Sequence, residues 1–229
     1  MKYKFTISPV SEDSALISFV EAGIEQVRSM RDFCLAKIPA LIDIVPAYQT
    51  VLLRYDCLRV TYDEVERIVI QWQFIEQEKE EQFNGVVHKI PVYYDIEVAA
   101  DLDNVCVQKG VSLSGLIGLH TAQSYLVYAI GFQPGFAYLG YVPEAISMPR
   151  HTSFKAQVSA GSVAIADRQT AIYPADLPGG WQVIGRTPVS VYQDHQALFS
   201  VGDRVQFESV SKEQYVLLGG ELGNVGTEI

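Results

Sequence analysis

Residues 15–20 read ALISFV, a short apolar run of strand length. The pattern then changes period. Across residues 21–38, Ile24, Val27, Met30, Phe33, Cys34 and Ile38 recur at three- and four-residue intervals, which predicts an amphipathic helix. Pro39 and Pro46 bound a connecting loop. Residues 48–55 (YQTVLLRY) read as a strand, and residues 61–77 as a second helix with Val65, Ile68, Val69, Trp72 and Ile75 along one stripe. Thr61 followed three residues later by Glu64 is the spacing of a capping box and fits the start of that helix. Residues 88–94 (HKIPVYY) close the region as a strand. Strand, helix, strand, helix, strand predicts a small two-layer α/β N-terminal domain over residues 1–90, with helices covering one sheet face.

The texture changes after Tyr94. Residues 99–109 and 113–120 predict two short helices. From Tyr125 the chain becomes strand and turn: VYAIGF, SVAIA, TAIYP, WQVIG, VSVYQ and RVQFESV, punctuated by glycine and proline. Many short strands at close spacing predict a closed sheet or β-barrel over residues 91–229, and an α+β class for the whole. The boundary is expected near residues 88–95. Residues 219–229, glycine-rich and weakly patterned, are expected to form a mobile tail.

Charge and cysteine usage narrow the function classes. A formal net charge of −10, with no run of Lys or Arg, argues against a nucleic-acid partner, because phosphate neutralisation needs a basic patch. Cys34, Cys57 and Cys106 are far apart and odd in number, with no CxxC or Cys/His cluster. They suggest reduced thiols, with no metal site and no disulfide framework. No stretch of eighteen apolar residues occurs, so no membrane span is expected and a cytoplasmic location is.

Candidate chemistry concentrates in the second half. In the run 131–140 (GFQPGFAYLG), three glycines and Pro134 shape a loop carrying Phe132, Phe136 and Tyr138. It reads either as one wall of a pocket or as a barrel corner packed by core aromatics. The run 178–188 (PGGWQVIGRTP) can turn sharply at Gly179-Gly180, exposing Trp181 and leading to Arg186. Turn N–H groups with a guanidinium could hold an oxyanion, and a β-turn with a surface arginine is the alternative. In the functional reading the two runs face one common cleft that holds Tyr138, Trp181 and Arg186. His120 ends an apolar stripe of Leu113, Leu116, Ile117 and Leu119, as a satisfied buried histidine or as an acid–base group. Arg150 follows Pro149 in an irregular stretch, where anion binding and a structural ion pair both fit. His151 and His195 carry no companion signal. There is no GxxxxGK[ST] loop, no GxSxG elbow and no close pair of carboxylates that suggests a metal site. A chain performing complete ATP and amide chemistry would show more, which points to one component of a larger enzyme.

The runs 131–140, 148–150 (MPR), 160–165 (AGSVAI) and 178–188, taken together, resemble a bacterial family. Its members are called the B subunit of 5-oxoprolinase, allophanate hydrolase subunit 1 or sporulation-kinase inhibitor. The likeness extends through 172–174 (IYP) and 202–207 (GDRVQF), and back to 13–16 (DSAL) and 45–48 (VPAY). The resemblance implies a cyclophilin-like β-barrel as the second domain. It also implies a protein that acts with the A and C subunits of 5-oxoprolinase to open 5-oxoproline to L-glutamate with ATP, and that is inactive on its own. Arg186 and His120 are the catalytic candidates it supports, with Arg150, Lys155, Phe136, Tyr138 and Trp181 binding substrate or an anion. Inhibition of a sensor histidine kinase is the regulatory alternative, and allophanate hydrolysis within a complex is the third. Two departures stand out: residues 95–102 (DIEVAADL) lack the family's glycine-rich turn, and Phe154-Lys155 replaces a second Pro-Arg pair. Lys155 keeps the charge of that arginine without its bidentate fork.

Overall fold

The computed structural model describes residues 4–75, 85–153 and 155–223. The chain divides into two compact units, Met1–Asn84 and Gly85–Ile229.

In the first unit the order is β1 (Phe5–Ser11), β2 (Ser14–Phe19), α1 (Ile24–Lys37), β3 (Leu41–Ala47), β4 (Thr50–Tyr55) and α2 (Tyr62–Ile75). The strands form one antiparallel sheet in the order β1-β2-β4-β3. Period-two alternation buries Ala15, Ile17 and Phe19 from β2 with Val51, Leu53 and Tyr55 from β4 on one face. Ile24, Val27, Met30 and Cys34 of α1, and Val65, Val69 and Trp72 of α2, are buried with them. The Trp72 ring meets Phe5 and Phe19 edge-on at 5.8 and 5.6 Å, and its Nε1–H donates to Ser29 Oγ of α1 at 3.1 Å. One side chain thus ties both helices to the sheet. The capping box forms: the Thr61 N–H donates to the Glu64 carboxylate at 2.8 Å, and the Glu64 N–H reaches Thr61 Oγ1 at 3.4 Å.

Three expectations for this unit need correction. Residues 39–46 are not a loop, because β3 runs through Pro46. A proline without an N–H is tolerated there because β3 is an edge strand, bonded only to β4. Strand β1 has no counterpart among the predicted elements, and the strand at 88–94 does not join this sheet. The end of the second predicted helix, at Gln77, lies outside the described residues.

The second unit begins with that strand, β5 (Val87–Val92). It continues through α3 (Leu102–Lys109), α4 (Leu113–Thr121), β6 (Ser124–Ile130), β7 (Ala137–Gly140), β8 (Lys155–Val158), β9 (Ser162–Ala166) and β10 (Gln169–Ile172). Then follow β11 (Leu177–Gly179), β12 (Gln182–Arg186), β13 (Tyr192–Gln193), β14 (Gln196–Ala197), β15 (Arg204–Ser209) and α5 (Lys212–Leu217). The main sheet has the order β12-β9-β10-β7-β6-β15-β5, with only the β15–β5 pair parallel. Its two outer strands meet. The Tyr93 N–H donates to Arg186 O and the Arg186 N–H to Tyr93 O, both at 2.9 Å, so the sheet nearly closes into the expected barrel. Val127, Leu139, Ile165, Ile172, Val183, Val205 and Phe207 fill its core.

Two residues fix the ends of β5, Asp203 at its start and Gly185 opposite its end. Asp203 accepts from the N–H groups of Val86 at 3.0 Å and Ser200 at 2.8 Å, and lies 3.1 Å from His88 Nε2. Burial pushes the Asp203 carboxyl up, but these donors outweigh it and hold it below the usual range. Gly185 stands at the seam, where an added Cβ would lie 2.7 Å from Val92 Cγ1 and 3.0 Å from Tyr93 O. Gly185→Val should therefore overpack the seam by about 1–3 kcal/mol. A fall of roughly 5 °C in the melting temperature of the barrel unit is expected by circular dichroism. An unchanged melting temperature would show that the seam can relax.

Among the described residues no helix is long and apolar enough to cross a membrane.

Candidate functional site

His120, at the end of α4, lies inside the barrel core and is fully buried. Its ring stacks on Phe207 at 4.5 Å and sits 5.3 Å from Tyr125. Nδ1 is 2.7 Å from the Tyr94 hydroxyl and Nε2 is 3.1 Å from Thr170 Oγ1. The Thr170 hydroxyl proton goes to Ala164 O at 3.0 Å, so Thr170 accepts from Nε2–H and Tyr94 donates to Nδ1. Every hydrogen-bonding atom of this neutral tautomer is satisfied. Burial pushes the imidazole down to about 3, far below the neutral range. These are the surroundings of the satisfied, buried histidine of the two readings offered by the sequence.

The aromatic residues of the two glycine-rich runs do come together. Phe136 meets Tyr138 at 5.1 Å, and meets both Trp181 and Tyr173 at 5.5 Å in edge-to-face contact; Tyr138 is 6.0 Å from Trp181. Phe136 and Trp181 are buried, and Tyr138 is half-buried. Tyr173, from the run 172–174, completes this wall, although it is not among the candidate site residues read from the sequence. Burial pushes its hydroxyl up to about 12. Gly179 explains the Gly-Gly turn: a Cβ there would stand 2.2 Å from the Tyr173 hydroxyl oxygen, so only glycine lets the tyrosine seat. Phe132 extends the wall outward, 5.5 Å from Phe136 and 60% exposed, with a φ of 72° that is unusual outside glycine.

Cations border this wall unequally. Exposed Arg150 places its guanidinium carbon 5.7 Å from the Trp181 ring centroid, within cation–π range. Lys155 is only 6% exposed, and its Nζ donates to both oxygens of Asp101 at 2.7 Å. Asp101 Oδ2 also accepts the Val183 N–H at 2.7 Å. Asp101 is the N-cap residue of α3, yet its carboxylate makes no cap and turns to Lys155. His151 Nε2 stands 3.1 Å from Asp101 Oδ1 without an aligned hydrogen bond.

Arg186 does not join this cluster. Its Nε–H donates to Ala160 O at 3.0 Å, and Nη1 donates to Glu221 O at 3.3 Å and Gly223 O at 3.2 Å. It lines a separate hollow of about 180 Å³ with Thr187, Ser190, Tyr215 and Glu221, which touches the aromatic wall only through Tyr173. Tyr138 and Trp181, expected to share a cleft with Arg186, do not line this hollow. Residues 219–223 are held by Arg186 and by the Tyr215 hydroxyl, which donates to Glu221 O at 3.1 Å. They do not behave as the start of a loose tail, and residues 224–229 lie outside the described residues. Among the described residues no His, Cys, Asp and Glu side chains gather in a metal-binding group.

Residues 5–201 match the family described as carboxyltransferase domain, subdomain C and D. The chain belongs to that family. Within it, the chain is 32% identical over 232 residues to the B subunit of 5-oxoprolinase from Bacillus subtilis, spanning 94% of this chain and 97% of the relative. It is 37% identical over 179 residues to the B subunit of 5-oxoprolinase from Escherichia coli O157:H7, covering 76% and 80%. Among solved structures, the crystal structure of TTHA0988 superposes with a TM-score of 0.74 at 33% identity, covering 87% of this chain. This carboxyltransferase-family chain spans only 40% of the longer TTHA0988 chain.

Proposed function

We propose that the chain is the B subunit of an ATP-dependent 5-oxoprolinase, opening 5-oxoproline to L-glutamate together with the A and C subunits in the cytoplasm. The end-to-end correspondence with a protein named as the B subunit of 5-oxoprolinase carries the proposal. The aromatic cluster supports it chemically. Half-buried Tyr138 offers aromatic surface to a five-membered ring, and exposed Arg150 nearby offers a cation to its carboxylate. Arg186 has a different part: its backbone closes the barrel and its guanidinium anchors three carbonyls.

The Arg186 hollow does not fit ATP. No glycine-rich phosphate loop occurs, the hollow of about 180 Å³ is smaller than the ~300 Å³ lower bound for drug-sized ligands, and the cation lining it is engaged on carbonyls. ATP chemistry is therefore assigned to a partner protein of the complex, and the isolated chain is expected to be inactive. Mixing the purified chain with the A and C subunits, 5-oxoproline and ATP should give L-glutamate, and omitting the chain should abolish it. No glutamate from the full mixture, or undiminished glutamate without this chain, would defeat the proposal.

A further inference from the structure

The hollow of about 180 Å³ beside Arg186 keeps two donors that the fold does not use. The first is on Arg186 itself. Its Nε and Nη1 are held by the carbonyls of Ala160, Glu221 and Gly223, while Nη2 makes no hydrogen bond with any described residue. No carboxylate among the described residues lies within ion-pair distance of this guanidinium, so its charge stands uncompensated in a chain of net charge −10. The second donor is on Thr187, which is 3% exposed. Its Oγ1 accepts the Val189 N–H at 3.2 Å, and its own proton has no acceptor among the described residues. Buried hydroxyls are nearly always paired, so a donor left open on a cavity wall calls for a partner that enters the cavity.

The rest of the lining limits what that partner can be. Tyr173, Tyr215, Pro174 and Pro188 contribute aromatic and proline surface, and Arg186 is the single cation. Glu221, the one acid of the lining, is exposed and gives Arg186 its backbone carbonyl. One open guanidinium nitrogen beside one hydroxyl suits the two oxygens of a carboxylate, and such charge-assisted bonds are about twice as strong as neutral ones. Size agrees with this. A cavity of about 150 Å³ accepts benzene, so this one takes a molecule built on a single ring. One wall belongs to the segment 219–223, which hangs on Arg186 Nη1 at 3.3 and 3.2 Å and on the Tyr215 hydroxyl at 3.1 Å. Gly220 lies flat on the Tyr215 ring, where an added Cβ would stand 2.4 Å from Cζ.

We propose that this hollow binds a small monocarboxylic acid with an uncharged ring, and that residues 219–223 form a strap that closes over it. The carboxylate takes Arg186 Nη2 and the Thr187 hydroxyl, and the ring takes the aromatic and proline surface. Arg186 then holds the ligand with one nitrogen and the strap with another, so occupancy and closure favour each other. The proposal goes beyond the 5-oxoprolinase reading and does not rest on it.

The test uses benzoate as probe and benzamide, the same ring without the charge, as control. Binding to the full chain is measured by titration calorimetry, and strap closure by amide hydrogen exchange over residues 212–223. Benzoate should bind at least tenfold more tightly than benzamide and should slow exchange in the strap. Thr187→Val removes the hydroxyl at nearly constant volume and should weaken benzoate about tenfold while sparing benzamide; Thr187→Ser should restore it. Gly220→Ala should lift the strap from Tyr215, speed its exchange and weaken benzoate, although neither donor is altered. If Thr187→Val does not fold, Thr187→Ser and Gly220→Ala carry the test. Equal binding of benzoate and benzamide overturns the proposal, since a hollow that holds only water gives that result. So does an equal loss of both probes in Thr187→Val, which marks a merely structural threonine, or strap exchange that ignores benzoate. Competition by 5-oxoproline against bound benzoate then decides whether the natural occupant is the substrate of the proposed reaction or another ring carboxylate.

Discussion

Asp101→Ala is expected to destabilise the barrel unit by about 3–5 kcal/mol, the usual effect of removing one member of a buried ion pair. The reason is local. Lys155 is 6% exposed and its ammonium would keep neither carboxylate oxygen, while the Val183 N–H would lose its acceptor. At this chain size the melting temperature should fall by roughly 10 °C. The two tryptophans lie in different units, Trp72 in the first and Trp181 in the second. A Trp72→Phe background therefore lets Trp181 fluorescence report the barrel alone. Asp101→Ala combined with Lys155→Met should recover most of the loss, because the uncompensated charge goes with the lysine. A single variant that loses less than about 1 kcal/mol would show that water reaches the ammonium and that the pair is not a buried one.

His120 should give the barrel a distinct acid sensitivity. Its folded value is depressed to about 3 against an ordinary 6.5, so the unfolded chain binds a proton that the folded chain refuses across that interval. The stabilisation is complete above about pH 6.5 and declines as pH falls toward 3, at up to about 1.4 kcal/mol per pH unit. Between pH 7 and pH 5 the loss from this one group is about 2 kcal/mol. His120→Phe removes the titration. It also leaves the Tyr94 hydroxyl without its acceptor, a penalty that does not vary over this range. Urea denaturation of both proteins at several pH values should show the difference in stability shrinking as the solution is acidified. A constant difference would mean that His120 takes up its proton in the folded chain as it does in the unfolded one, and would favour an acid–base role for it.

What is legible in the sequence is what depends on neighbours in sequence. The helical stripe through Val65, Val69 and Trp72 and the alternation at Ala15, Ile17 and Phe19 report burial directly, and the structure buries those residues. Pro46 reads as a loop because proline breaks a ladder, but an edge position removes the objection and edge status is a tertiary property. The strand at 88–94 looks like the end of the first module because its partner, β15, begins at Arg204, with no local sign of the pairing. The aromatic wall can be anticipated in Phe136, Tyr138 and Trp181, whose glycine-rich setting is unusual. Tyr173 lies in the quoted run 172–174, but nothing near it in sequence marks its contact with Gly179.

The polar half of the site is harder to see. Asp101 and Lys155 are 54 positions apart, and Asp101 falls inside the helix predicted over residues 99–109, with no local sign of its partner. His151 has no companion in sequence, although its place directly after Arg150 is a usable sign. Arg186 draws attention as a cation following a glycine. Its actual partners include carbonyls of Glu221 and Gly223, in a stretch whose composition suggests mobility. Weak patterning predicts mobility only when no distant donor waits for the backbone.

The seam between Tyr93 and Arg186, together with the parallel pairing of β5 and β15, has a bearing on synthesis. A ribosome releases β5 early, and its hydrogen-bonding partner leaves the exit tunnel more than a hundred residues later. Until then the nascent chain exposes an unsatisfied strand margin of the kind that templates association with other chains. Chains cut short before Arg204 should accordingly collect in the insoluble fraction, where full-length ones do not.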